Sequence, residues 1–259
     1  MIFLISIFLG GCVDTAEVDL DSADPRLIVE GKIANGEGPF EVKLSLSTEF
    51  FNTLPEYVET AEVFISDDAG NVEQLQYTEK GTYVTSSITG VPGYTYHLRI
   101  EHAGKTYEAW SHMPQIPELG AIEVTYEEES FLRDEGYYLI VRGEESDFDA
   151  GYYRSLVYVD DSLYNPLGLN DLFAAISEDG EGINQIEIPY AFRLGDSITL
   201  EIISMDRRAY VFYQSFLLLL FSDGGLFGSP PANPEGNISN GALGLFQAVS
   251  FIKEEVEVK

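Results

Sequence analysis

One thiol, three histidines and a large surplus of acids set the chemistry open to this chain. Cys12 is the single cysteine. It follows Leu9-Gly10-Gly11 at the close of an apolar run, Met1 to Leu9, interrupted only by Ser6. The run is far short of the roughly 20 residues a membrane-spanning helix needs and has the length of a signal-peptide apolar core. Small residues before the cysteine match a bacterial lipobox, in which a peptidase cuts ahead of Cys12 and the thiol and freed amine are acylated. Residues 1–11 then read as the signal peptide. No Lys or Arg precedes Arg26, so Met1 reads as an internal start that has lost a basic leader.

The remaining reactive groups do not assemble. Nucleophilic catalysis needs a Ser or Cys beside a His, and the histidines are His97, His102 and His112. His97 alternates outward with Arg99 and Glu101, and no G-x-S-x-G is present. Zinc signatures are missing as well. Asp67, Asp68 and Asn71 in a glycine turn, or Asp147 and Asp149 before Gly151, offer hard oxygen ligands without an EF-hand pattern. They read as acidic turns. The expectation is therefore no catalytic residue, no metal and no cofactor. The 16 tyrosines include two doublets, Tyr137-Tyr138 and Tyr152-Tyr153. In each, one ring should face the core and its neighbour water, where aromatics anchor ligands or partners. These four are the candidate ligand- or partner-binding residues.

Charge narrows the partners. Lys and Arg number 14 against 44 Asp and Glu, a net −30, which excludes the basic footprint that nucleic acid requires. Attachment to anionic headgroups through basic residues is excluded too. With 45% hydrophobic and 13% aromatic residues, the chain has the apolar content for a real core. Acylated, Cys12 leaves no thiol for disulfides. Residues 12–25, with Asp14, Glu17, Asp19, Asp21 and Asp24, form an acidic tether.

Period-two alternation dominates from Arg26 onward. "PFEVKLSLS" places Phe40, Val42, Leu44 and Leu46 on one face, with Glu41, Lys43, Ser45 and Ser47 on the other. "TAEVFIS" repeats this with Ala61, Val63 and Ile65, and "TYHLRIEH" with Tyr96, Leu98 and Ile100. About seven strands with regular turn signals read as a β-sandwich over 26–114. "MPQIPELG", Met113 to Gly120, marks a boundary. Residues 118–259 read as a second β-rich domain that ends in a strand from Leu243 to Ile252. Its exception is "MDRRAYVFYQSFLLLLFSDGG", a helix over about 207–222 with Asp206 as N-cap. Apolar side chains wrap it nearly all round, so it should be buried, with Tyr210, Phe212, Phe216 and Leu220 against the sheet.

The order of lipobox, "RLIVEGKIANGEGPFEVKLSLS", "GYTYHLRI" with "GKTYEA", and "NISNGALGLF" resembles the Bacteroidota lipoproteins classed as domain of unknown function 4249. That resemblance implies an outer-membrane lipoprotein, often encoded beside a TonB-dependent receptor, whose first domain is an immunoglobulin-like or transthyretin-like sandwich. It carries no catalytic motif across. The acidic stretch after Cys12 resembles the export signal of surface lipoproteins, which places the chain on the cell surface. The expected function is a non-enzymatic accessory or ligand-capture component of a TonB-dependent transporter, held to the outer membrane by the lipid on Cys12. The alternatives are a surface glycan-active enzyme using second-domain carboxylates, and an adhesin or assembly scaffold.

Overall fold

The computed structural model describes residues 24–48, 54–115, 119–143, 151–164, 171–174, 185–221 and 233–259. Cys12, the tether up to residue 23, and Asp147 with Asp149 lie outside the described residues. The described residues are mainly β with one helix, as the alternation predicts. Among the described residues before Met113 there are seven strands of three or more residues: Leu27–Ala34, Glu41–Leu46, Glu62–Asp67, Val72–Gln74, Thr82–Val84, Thr95–His102 and Lys105–His112. Phe40, Val42, Leu44, Val63, Ile65, Tyr96, Leu98 and Ile100 are buried together, so the faces read from the sequence are the observed ones.

The organising element is the last strand, Leu243–Glu257. The sequence assigns it to the second segment alone, and the structure corrects this. Its first half lies parallel to Leu27–Ala34, from Ile28 opposite Leu243 to Ala34 opposite Val249. Its second half runs antiparallel to Ser197–Met205, from Ser204 opposite Ser250 to Ser197 opposite Glu257. A ten-stranded sheet therefore extends from the first strands, through the last one, to Ser197–Met205 and Tyr152–Val159. Local alternation reveals a strand's faces but not its neighbours. A parallel partner more than 200 residues away leaves no local signal.

Alternation along this strand then serves three cores. Phe246 and Ala248 enter the first, against the sheet built on Thr95–His102. Ile252 and Val256 pack on the second, shared with Leu139, Val141 and Tyr153. The odd residues Leu245, Val249 and Phe251 face the other way, toward the helix. Two glycines permit the close approach. A Cβ on Gly31 would meet the Phe246 ring at 2.9 Å, and one on Gly244 would meet the Val29 carbonyl oxygen at 2.0 Å, at φ +96. Met113, placed at the boundary by its prolines, is fully buried in the first core. Pro114 beside it accepts a hydrogen bond from the Ser250 hydroxyl at 2.7 Å.

The helix spans Arg207–Phe221. Asp206 caps it, with Oδ1 accepting from the Ala209 amide at 2.9 Å, which satisfies one of the donors a helix start leaves open. The other carboxylate oxygen accepts from the Ser111 hydroxyl at 2.6 Å. That hydroxyl in turn accepts from the Ala248 amide at 2.9 Å. One side chain thus ties helix, first sandwich and last strand. Burial is the correction here. Ala209 is buried and Tyr210, Phe212 and Tyr213 pack on the sheet, but Phe216 is 38% and Leu218 74% exposed. The reason lies below the helix. Beyond Leu245 and Val249 the facing strands mix the polar Glu30, Lys32 and Gln247 with Ile28 and Leu243, so only the first turns pack closely on the sheet.

Candidate functional site in the cleft beneath the helix

Where the helix lifts off, it leaves a cleft of about 690 Å³ between itself and three strands. Volumes of a few hundred to a thousand Å³ are usual for small-ligand sites. Phe212, Tyr213, Phe216 and Leu219 line the helix side, and Ile28, Leu243 and Leu245 the sheet side. Lys32 and Lys43 enter from adjacent strands, with Glu41 directly opposite Lys32 and Glu30 opposite Lys43. Gln247 sits across from Lys32 in the parallel register and donates from Nε2 to the Tyr213 hydroxyl at 2.7 Å.

A charge cluster adjoins this end. Glu201 is 7% exposed and takes an ion pair from Lys253 at 3.1 Å. The Arg154 guanidinium lies 5.4 Å from the centre of the Tyr213 ring. Crowding by protein pulls the Lys32 ammonium below the usual lysine pKa; Glu201 opposes the shift, while Arg154 and Lys253 add to it. Lys32 is exposed, and its ammonium makes no hydrogen bond or ion pair among the described residues. Sequence reasoning missed this cluster because its members lie on four strands far apart in the chain. The available clue was scarcity, since only 14 cations exist and four gather here.

The tyrosine doublets behave as half predicted. Tyr138 and Tyr153 are buried. Tyr137 and Tyr152 are half-buried and held by other rings, Tyr126 at 5.2 Å and Tyr210 at 4.8 Å. The four do not form one patch: Tyr137 and Tyr138 belong to a three-stranded sheet, Tyr152 and Tyr153 to the ten-stranded one. Two of the four candidates are therefore core residues, because a ring alternating inward on a strand packs whatever its polar handle.

The histidines stay apart. His97 stacks on Trp110 at 4.5 Å, with Nε2 3.1 Å from Glu108. His112 Nδ1 is 3.4 Å from the Thr95 hydroxyl. The acidic turn at Asp67 satisfies itself, accepting from the Asn71 amide at 2.9 Å and from its side chain at 2.8 Å. Asp68 accepts from the Thr95 amide at 3.1 Å. Among the described residues, no group of three or more His, Cys, Asp or Glu could hold a metal. Among the described residues, no helix is long and apolar enough to cross a membrane.

No curated protein matches the chain. Two solved chicken structures align with it. A two-domain fibronectin type-III segment of tenascin is 10% identical with a TM-score of 0.23, covering 71% of this chain and 92% of that one. The FN1–FN3 domains of CNTN1 are 11% identical with a TM-score of 0.28, covering 70% and 60%. The model of the family described as Domain of unknown function (DUF4249) matches residues 13–255, and the chain belongs to that family.

Proposed function

We propose that this protein is a non-enzymatic lipoprotein, anchored to the outer membrane through Cys12, that captures a ligand for a TonB-dependent transporter. The observation that carries the reading is the cleft, where half of an apolar helix is left standing away from the sheet it is docked on. An apolar surface kept open beside buried charge suits binding. The lipobox and the family resemblance support the place of action. The −30 net charge suits a partner with a basic patch, whose association would be salt-sensitive. Phe131 and Leu132, at 100% and 87% exposure on the hairpin before Gly136, offer the partner an apolar contact.

The test is extraction from native outer membranes in mild detergent, at low and high salt. Wild-type protein is expected to resist carbonate washing, because two or more acyl chains anchor stably where one does not. It should co-purify with a barrel receptor at low salt, and the Cys12→Ser chain should leave the membrane fraction. Membrane partition of that variant at the wild-type level overturns the anchor. A protein that runs alone at every salt concentration overturns the transporter role, as does purified protein that cleaves a glycan.

A further inference from the structure

We propose that the outer edge of the Leu119–Glu127 strand takes up an extended, basic segment of the protein partner as an added β-strand. The inference rests on the partner reading above and names how that partner is held. Among the described residues, Leu119–Glu127 is an outermost strand of a three-stranded sheet, paired with Gly136–Gly143 and through it with Gln185–Glu187. One extra residue bulges between Leu119 and Ile122, after which the edge is regular from Ile122 to Glu127. The hydrogen-bond pattern tells which backbone groups face outward. Tyr137 exchanges both backbone bonds with Phe192, at 3.0 and 2.8 Å, and the Leu139 carbonyl accepts from the Ile188 amide at 2.9 Å. Odd positions of Gly136–Gly143 therefore bond away from Leu119–Glu127, while Tyr138 and Ile140 bond toward it, where their partners in register are Thr125 and Glu123. The amides and carbonyls of Ile122, Val124 and Tyr126 are left pointing out of the sheet. They have no backbone partner among the described residues.

Three open rungs in a row are a template for another strand, and the side chains beside them select its sequence. Ile122 and Val124 pack on the second core, so residues directly opposite them in an added strand extend that apolar face. Glu123, Thr125 and Glu127 alternate to the other face. Glu123 is held by Arg142 in a two-pronged ion pair at 2.8 and 2.9 Å. Arg133, in the turn beyond, is taken by Glu187 at 2.7 Å. Glu127, Glu128 and Glu129 have no ion-pair partner among the described residues, which leaves the end of the edge acidic. The same acids oppose a second copy of this chain as the occupant. Antiparallel self-pairing centred on Glu123 or Thr125 sets Glu123 against its own copy or against Glu127, and each chain brings a net −30. A strand that alternates apolar residues with Lys or Arg meets the rungs, the apolar face and the acids together. Where such a strand runs past Glu127, the turn offers it Phe131 and Leu132, both exposed.

The experiment is a fluorescence-anisotropy titration of the full chain, expressed in a host cytosol and hence unacylated. The probe is a labelled heptapeptide with blocked ends that alternates valine and lysine. Two control peptides share its length. One carries glutamate for lysine; the other has each valine amide N-methylated, which keeps the charge and removes the donors on the edge that sets valine beside Val124. Saturable binding of the lysine peptide, weakened by salt, is expected, with both controls at least tenfold weaker. Val124→Pro should weaken the probe at least tenfold with the melting temperature kept, because the Val124 amide takes no part in the existing ladder and edge strands tolerate proline. Amide exchange gives a readout that needs no variant: the bound probe should slow Val124 and Tyr126, whereas Thr125 is already protected in the unbound chain. No saturable binding, equal binding of the N-methylated peptide, or an unaffected Val124→Pro chain overturns the assignment. So does a dimer that Val124→Pro dissolves, since the occupant is then a second copy. Each of those failures leaves the membrane anchor and receptor co-purification standing, so the two proposals fail separately.

Discussion

Asn35 holds Phe251 by both ends of its carboxamide: the Phe251 amide donates to Oδ1 at 2.8 Å, and Nδ2 donates to the Phe251 carbonyl at 3.2 Å. The contact spans the point where the last strand leaves Leu27–Ala34 and joins Ser197–Met205. There the parallel ladder has ended, since the last pair is Ala34 with Val249, and the side chain continues it by one rung. Asn237 does the same at Phe246, accepting from its amide at 2.9 Å and donating to its carbonyl at 2.7 Å. Asn35→Ala leaves a backbone donor and acceptor of a half-buried strand without partners. The expected cost is about 1–3 kcal/mol, read as a lower urea midpoint with an unchanged slope. Asn35→Asp should cost at least as much, because it sets a carboxylate against the Phe251 carbonyl. A change within about 0.5 kcal/mol, the range of ordinary surface substitutions, would mean that the handover does not depend on this side chain.

Glu73 gives the acid limb of stability a specific source. Its carboxylate accepts from the Ser86 amide and from the Ser86 hydroxyl at 2.8 Å. It also accepts from the Ser87 amide at 3.0 Å, the Ser87 hydroxyl at 2.9 Å and the Ile88 amide at 2.7 Å. Burial raises the pKa, but the hydrogen bonds from Ser86, Ile88 and Ser87 outweigh it and bring it from 4.5 down to about 2. The folded state thus holds the charged form more firmly than the unfolded state does. The resulting stability is fully present above pH 4.5 and is lost as pH falls from there to about 2. Glu73→Gln should be less stable than the parent at pH 7, with the gap closing across that window in denaturant titrations. A gap that stays constant down to pH 2 would refute the assignment.

What was legible in the sequence was local. Alternation identified the buried faces of Phe40 to Leu46 and Tyr96 to Ile100, because a period of two is written into neighbouring residues. Asp206 was legible as a cap for the same reason, since its partner amide lies three residues on. The role of the Leu243–Glu257 strand was not, because it depends on pairing with Leu27–Ala34 across the whole chain. The cleft was hidden for a related reason. Lys32, Arg154, Glu201 and Lys253 each look like a solvated strand position, and only the shared sheet brings them under the helix. Tyrosine doublets misled in part because composition names the residue type but not which member of each pair turns inward.

The helix offers the sharpest contrast between composition and position. Phe212, Phe216 and Leu218 are equally apolar in the sequence, yet Phe212 packs on Leu245 and Val249 while Leu218 is 74% exposed. Phe216 lies between, 38% exposed and lining the cleft. Phe216→Ala therefore removes few native contacts and leaves no closed cavity, and should cost less than about 1 kcal/mol. Phe246→Ala empties the space over Gly31 that the fully buried ring fills, and should cost about 3–5 kcal/mol, the usual range for a buried phenylalanine. The comparison needs both melting curves under one buffer, since the difference is the observable. Comparable losses in the two variants would show that the helix closes on the sheet in solution, and the cleft would then be too narrow for any ligand. A large gap keeps the cleft open, with Phe216 in place to meet what enters it.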